Sequence, residues 1–279
     1  MVSEKVLASV IAALSLGDAA LMAGPNWPTW RGEGMRGLAP DANPPIEFSE
    51  SQNLKWKVPV PGRGHSTPVI WGEKIFLLTA IETDISGEPA ADAPAPPPGG
   101  GGGPDPSRFG IKKAEHEYKF DVVCFNRQDG KILWQRTVRQ EVPHEGHHRD
   151  HGYASSSPVT DGDRLWVFLG SRGMHCLDLA GNIAWSADLG KQRTRVSFGE
   201  AASPALAGKA VIAVADHEGD SFIVALDKST GKELWRRDRD ERTSWTTPIV
   251  ITSDDRTEVV VSGTNRTRSY DPKTGDILW

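Results

Sequence analysis

Cysteine is nearly missing from this sequence: 279 residues contain only Cys124 and Cys176. That excludes a disulfide-stapled mini-domain and a paired-cysteine zinc framework. An excess of basic charge is missing too, since 32 Lys and Arg stand against 37 Asp and Glu, a net charge of −5. A nucleic-acid binder held by phosphate contacts is therefore disfavoured. The N-terminal apolar run, Val6 to Leu16, has 11 residues, where a membrane-spanning helix needs about 20. No long helical period separates the apolar segments, which argues against a two-domain α/β enzyme. A Gly-rich phosphate loop and a nucleophile elbow are also lacking.

What the chain does contain is 29 Gly, 20 Pro and 10 Trp, hence frequent turns. Lys5, the apolar run and the small residues Ala19, Ala20 and Ala23 have the layout of a secretory signal peptide over residues 1–23. Its removal would leave a periplasmic or secreted chain with no transmembrane span. A leader follows over 24–52.

From residue 53 onward the sequence repeats itself, the strongest signal it carries. Gly130-Lys-Ile-Leu-Trp134, Gly181-Asn-Ile-Ala-Trp185, Gly231-Lys-Glu-Leu-Trp235 and Gly275-Asp-Ile-Leu-Trp279 align, with Trp steps of 51, 50 and 44 residues. Before each lies a short apolar strand closed by Asn126, Asp178, Asp227 or Asp271. Each pair reads as a hairpin: the Asn or Asp oxygen opens the turn, and the Gly accepts a positive φ. A second anchor recurs upstream of each unit at Thr67-Pro68, Ser157-Pro158, Ser203-Pro204 and Thr247-Pro248. Pro-to-Trp distances of 27, 31 and 31 residues in the later units contrast with 66 in the first. The first unit thus carries an insertion of roughly 35 residues, centred on a flexible Pro/Gly-rich stretch over 86–107 that includes Pro96-Pro-Pro98 and Gly99 to Gly103.

Four short antiparallel strands per unit, with a Trp in register, describe an all-β chain: a β-propeller of four-stranded blades, with a partial propeller over 53–279. Trp56, Trp134, Trp185, Trp235 and Trp279 are the expected blade-docking residues, each burying a large flat ring against the next unit. Trp56, in Asn53-Leu-Lys-Trp56-Lys-Val58, reads as an outer strand with no preceding blade, and the sequence stops on Trp279. About four blades in an incomplete ring, and a fragment of a longer product, are expected.

Ala225-Leu-Asp-Lys-Ser-Thr-Gly-Lys-Glu-Leu-Trp235 and Ser269-Tyr-Asp-Pro-Lys-Thr-Gly-Asp-Ile-Leu-Trp279 resemble the repeat of pyrroloquinoline-quinone (PQQ) propellers. The entrance Asn26-Trp-Pro-Thr-Trp-Arg-Gly32 is similar to the leader of BamB-like bacterial proteins of that group. The resemblance implies eight blades in the complete ring and two kinds of function, since fold alone does not decide it. One is a non-catalytic, exported scaffold that binds a protein partner in the cell envelope, with no cofactor; this is the expectation adopted. The alternative is a PQQ- and calcium-dependent alcohol dehydrogenase, whose relatives typically carry an adjacent Cys-Cys pair. Here Cys124 and Cys176 are 52 residues apart in equivalent small-residue slots, where Cα atoms seldom come within the roughly 7 Å a disulfide needs.

A third possibility rests on His144-Glu-Gly-His147-His148-Arg-Asp150-His151. Four imidazoles in eight residues are candidate ligands for a transition metal, His144, His147, His148 and His151 being the set; a polar inter-blade loop is the simpler reading. Glu200, Asp216 and Glu218 are carboxylates that could serve a central calcium. Arg172, Arg193 and Arg195 could meet an anion or pair with carboxylates.

Overall fold

The computed structural model describes residues 26–40, 42–89, 105–253 and 256–279. The expected signal peptide and residues 90–104 of the expected insertion lie outside them. Among the described residues, no helix is long and apolar enough to cross a membrane.

The chain forms four antiparallel sheets in sequence order, an open arrangement of propeller blades. The first contains β1 (Val69–Trp71), β2 (Lys74–Ser86), β3 (His116–Asn126) and β4 (Ile132–Glu141). The second contains β5 (Val159–Thr160), β6 (Arg164–Phe168), β7 (Met174–Asp178) and β8 (Ile183–Ala187). In the third are β9 (Ala205–Ala207), β10 (Ala210–Ala215), β11 (Phe222–Asp227) and β12 (Glu233–Asp238). The fourth has three strands, β13 (Ile249–Thr252), β14 (Thr257–Ser262) and β15 (Thr267–Tyr270). Against β15 the backbone of Leu278 and Trp279 exchanges hydrogen bonds with Ser269, so the segment ending at Trp279 lies where the other sheets have their outer strand.

Strand periodicity explains why the sheets stack. In β10, Val211, Ala213 and Ala215 join a cluster with Trp166, Phe168 and Cys176 of the second sheet, while Ile212 and Val214 join one with Val259 and Tyr270 of the fourth. A strand buried on both faces needs apolar residues at every position, and Ala210–Ala215 has them. A third cluster joins the first and second sheets through Phe76, Leu78, Val122, Leu165 and Val167.

The recurrent turn glycines explain the seating of the tryptophans. Gly181, Gly231 and Gly275 all have positive φ, and a Cβ on any of them would stand 2.5–2.8 Å from the indole of Trp134, Trp185 or Trp235 in the preceding sheet. Each indole Nε1 also donates to a carbonyl of that turn: Trp134 to Leu179, Trp185 to Lys228, Trp235 to Pro272. Trp56 does the same over Gly130, with Nε1 donating to Arg127. The segment 53–58 expected as an outer strand is not one, however: among the described residues its backbone has no ladder partner. Trp279 is half exposed, and its Nε1 donates to Glu258 within its own sheet.

The residue before each anchoring proline links one sheet to the next. Thr67 N donates to Ser157 Oγ at 2.9 Å, Ser157 N to Ser203 Oγ at 2.8 Å, and Ser203 N to Thr247 Oγ1 at 3.0 Å. Ser203→Ala should leave the buried Ser157 N–H without its acceptor, at a cost of about 1–3 kcal/mol. Ser203→Thr should restore most of it in urea unfolding, and an unchanged midpoint in the alanine variant would show the link to be idle.

Two features set the first sheet apart. Its β2–β3 ladder runs from Lys74↔Asn126 out to Ser86↔His116, far longer than its counterparts, so the insertion sits at a hairpin tip. The chain leaving that insertion packs back onto the loop face. Asp105 caps a 3-10 turn over Pro106–Phe109, Ile111 is buried, and Gly146 lies so close to Lys112 O that a Cβ would be 2.4 Å away. The leader, second, runs along the innermost strands. Trp27 exchanges backbone bonds with Ile70 of β1, Pro28 O accepts from Thr160 N of β5, and the turn Glu33–Met35 packs on β13.

Candidate interaction site on the loop face

The loops that join one sheet to the next, 142–158, 188–204 and 239–248, lie on one face and converge. They enclose a cleft of about 280 Å³ lined by His148, His151, Phe198, Glu200, Ala201 and Trp245. A separate void of about 10 Å³, room for about one water, lies beside Gln192, Asp216 and Thr243 and shares Glu200, Ala201 and Trp245 with the cleft.

Phe198 is aimed by an unusual backbone. Val196 and Ser197 have φ of +55° and +53° in succession. For a β-branched residue this is a genuine outlier, costing on the order of 1–3 kcal/mol, so the surroundings must impose it. They do: Thr194 N and Oγ1 donate to Glu145, Arg195 N to Thr243 Oγ1, and Phe198 N to Arg195 O. His148 N then donates to Phe198 O, and Trp245 Nε1 to Gly199 O at 2.7 Å. Phe198 consequently stands edge-on to both His148 and Phe109, and 6.4 Å from the Trp245 ring.

The acidic groups around the cleft are occupied by their own neighbours. Glu200 accepts from Ser171 N and Oγ and from Arg172 Nη1 at 2.5 Å, and Gly170 lets it approach, since a Cβ there would be 2.3 Å from its carboxylate. Asp216 holds Arg239 through two hydrogen bonds at 2.6 and 3.0 Å. Glu241 takes Arg268 and the backbone N–H groups of Asn265 and Arg266. Glu218 accepts from Thr243 Oγ1. Glu141 is raised by burial, but hydrogen bonds from Lys191 and Arg139 outweigh this and leave it below the usual carboxylate range.

Glu145 behaves differently. Burial lifts its carboxyl from 4.5 to about 7, against the Thr194 hydrogen bonds that favour its charge. Because the folded state holds this proton more tightly than the unfolded chain, stability falls as pH rises from about 4.5 to about 7 and then levels off. Glu145→Gln should remove that part of the slope in unfolding measured across this window. An identical slope in the variant would show that Glu145 is already ionised.

The four histidines singled out in sequence do not converge. His144 is buried, lowered by desolvation, and donates from Nε2 to Gln192 O. His147 donates from Nδ1 to His148 O and packs edge-on against Tyr153. Only His148 and His151 reach the cleft, joined by His65 at 5.7 Å from the His151 ring. Among the described residues no group of three or more His, Cys, Asp or Glu side chains is placed to hold a metal ion. Arg172 pairs with Glu200, as the reading by ion pairing had it, but in the interior rather than at the surface. Cys124 and Cys176 are free and buried, each opposite a tryptophan in its ladder.

Sequence reasoning missed Phe198 and Trp245. A signal for the second existed: three residues before the anchoring proline, Trp245 stands where the other units have His65, Ser155 and Ala201.

A planar tricarboxylate quinone with its calcium does not fit this lining. Among the described residues no Lys or Arg lines the interior of the cleft, so three carboxylates enclosed there would lack a counter-charge. Calcium wants six to eight oxygens, and the one lining carboxylate, Glu200, is already bonded to Ser171 and Arg172.

Comparison with known proteins gives three findings. The sequence profile of the family described as outer membrane protein assembly factor BamB matches residues 118–279. No curated protein matches the chain in sequence. Among solved structures, the quinohemoprotein alcohol dehydrogenases of Comamonas testosteroni and Pseudomonas putida HK5 superpose with TM-scores of 0.52 and 0.50, each at 13% identity. The matches cover 94% and 91% of this chain, which spans about two fifths of those enzymes, 41% and 39%. BamB from Moraxella catarrhalis superposes at TM-score 0.33 with 17% identity, over 73% of this chain and 77% of that one. The likeness to the dehydrogenases is one of fold.

Proposed function

This chain belongs to the family of the outer membrane protein assembly factor BamB, and from that premise we propose that it is a non-catalytic scaffold of the cell envelope that binds a protein partner through its loop face. The observation that carries this reading is the division of labour around the cleft. The acids that could do proton or metal chemistry there, Glu200, Asp216, Glu218 and Glu241, are engaged by the protein's own donors. The aromatic groups Phe109 and Trp245 are instead left 46% and 42% exposed. Acid–base catalysis in the cleft would fall to His148 and His151 alone, whereas association uses exposed aromatic surface. The family description and the resemblance of the leader both favour the envelope as its compartment.

The test places a photo-crosslinking amino acid at Arg195, on the loop face, and at Gln135, on outer strand β4, in cells making the full gene product. A single defined adduct from position 195 but not 135 is the expected result. Stoichiometric binding of PQQ with calcium, accompanied by dye-linked alcohol oxidation, would overturn the scaffold reading in favour of a dehydrogenase.

A further inference from the structure

Four arginines whose charge is largely unspent stand on or beside the loops that supply the cleft lining. Arg149, 83% exposed at its side chain, lies between His148 and Asp150 in the loop that supplies two lining histidines. Arg63 donates from Nη2 to Arg149 O and is exposed. Arg195 is exposed on the strained loop that aims Phe198. Arg242, also exposed, precedes Thr243, whose hydroxyl accepts from Arg195 N. Among the described residues Arg63, Arg195 and Arg242 have no carboxylate within ion-pair distance, and Arg149 meets only Asp150, at 3.7 Å. Of the other acids nearby, Asp240 is paired with Arg266 and Arg268 and Glu200 with Arg172, while Glu218 is bonded by Thr243 rather than by a cation. A chain of net charge −5 thus presents a cationic rim around an aromatic cleft.

The cleft itself is small. At about 280 Å³ it falls just under the roughly 300–1,000 Å³ of sites that enclose whole small molecules, and it is open to the face along which a chain could lie. Phe198 and Trp245 form two of its walls, tilted 34° to one another, with the His148 edge against Phe198. The walls are held by backbone and indole hydrogen bonds, so they need not be ordered on binding.

We propose that this cleft takes one aromatic side chain from an extended, acidic segment of the partner protein, with the flanking carboxylates lying over Arg63, Arg149, Arg195 and Arg242. The aromatic ring supplies the anchor, and the arginines supply selectivity and encounter rate. This rests on the protein-binding function proposed above and specifies the chemistry recognised there.

The experiment uses the whole chain and three short fluorescein-labelled peptides: Asp and Glu flanking a central Phe, the same peptide with that Phe replaced by Ala, and a Lys-flanked Phe peptide. Fluorescence anisotropy should show binding of the first only, weakened by rising salt. Trp245→Ala and Phe198→Ala should each weaken it roughly tenfold or more, with Trp245→Phe retaining most of it. Arg149→Glu combined with Arg195→Glu should weaken it and flatten its salt dependence, while unfolding midpoints confirm that all variants are folded. Equal binding of the Lys peptide, no binding of the acidic aromatic peptide, or indifference to Trp245→Ala would overturn the proposal. The crosslink at Arg195 separates the two readings: an adduct that persists in Trp245→Ala leaves the scaffold standing without this cleft. Loss of every adduct in the unmutated cleft removes both.

Discussion

Trp235→Ala is expected to destabilise the protein by about 3–5 kcal/mol, the range for truncating a buried aromatic residue. Trp235 is 7% exposed, and two terms add at its site: its indole covers Gly275 of the fourth sheet while Nε1 donates to Pro272 O at 2.9 Å. Removing the ring opens a cavity between the third and fourth sheets and leaves that carbonyl without its indole donor. The partner side can be tested independently. Gly275→Ala places a Cβ 2.5 Å from the ring at φ +75°, so it should be strongly destabilising in the native background and less so when Trp235 is already alanine. A double-mutant cycle by urea unfolding would read the difference as coupling. Additive effects, or a loss under about 1 kcal/mol for Trp235→Ala, would mean that the sheets are held elsewhere.

The second large effect concerns the ion pair beneath the cleft. Arg239 and Asp216 have side chains that are 0% exposed, joined at 2.6 and 3.0 Å, with Arg239 Nη1 also donating to Tyr270 Oη and Ser244 Oγ donating to Asp216. Asp216→Ala leaves a buried guanidinium without its counter-charge, and about 3–5 kcal/mol of stability should be lost. Replacing both residues with apolar groups of similar volume, Asp216→Leu with Arg239→Met, should recover most of that loss, because no charge is then buried alone. Burial shields the pair from ions, so the single-variant loss should barely change with salt. A loss that salt abolishes, or a double variant no better than the single one, would contradict this account.

These sites differ in how plainly the sequence announces them. The sheets were legible because Asp227, Gly231 and Trp235 are tied to one another by a turn that needs each residue type at its place, and the same turn recurs at Asp271, Gly275 and Trp279. The small-residue slot was legible as well, and the structure adds what it is for: Cys124, Cys176 and Ala225 each lie opposite a Trp in the ladder. The cleft was not. Phe198 owes its direction to positive φ at Val196 and Ser197, and neither residue type hints at that conformation; long-range bonds from Glu145 and Thr243 impose it. Where the histidine run would point was not legible either, for a related reason. Neighbours in an irregular loop have no fixed period, so His144 turned inward to Gln192 and His147 to Tyr153, while the third imidazole near the cleft came from His65 in another segment.

The leader imposes an order of events on the making of the protein. Trp27 bonds to β1 and Pro28 to β5, but the Glu33–Met35 turn needs β13, which ends at Thr252. At about 5–20 residues per second, a ribosome that has finished Trp27 takes roughly 10–45 s to reach that strand. The Glu33–Met35 turn, made early, is thus among the last elements to settle, and it does so on a sheet that must already exist. Until then the Glu33–Met35 turn has no seat, and any handling factor that engages the chain has that interval in which to hold it.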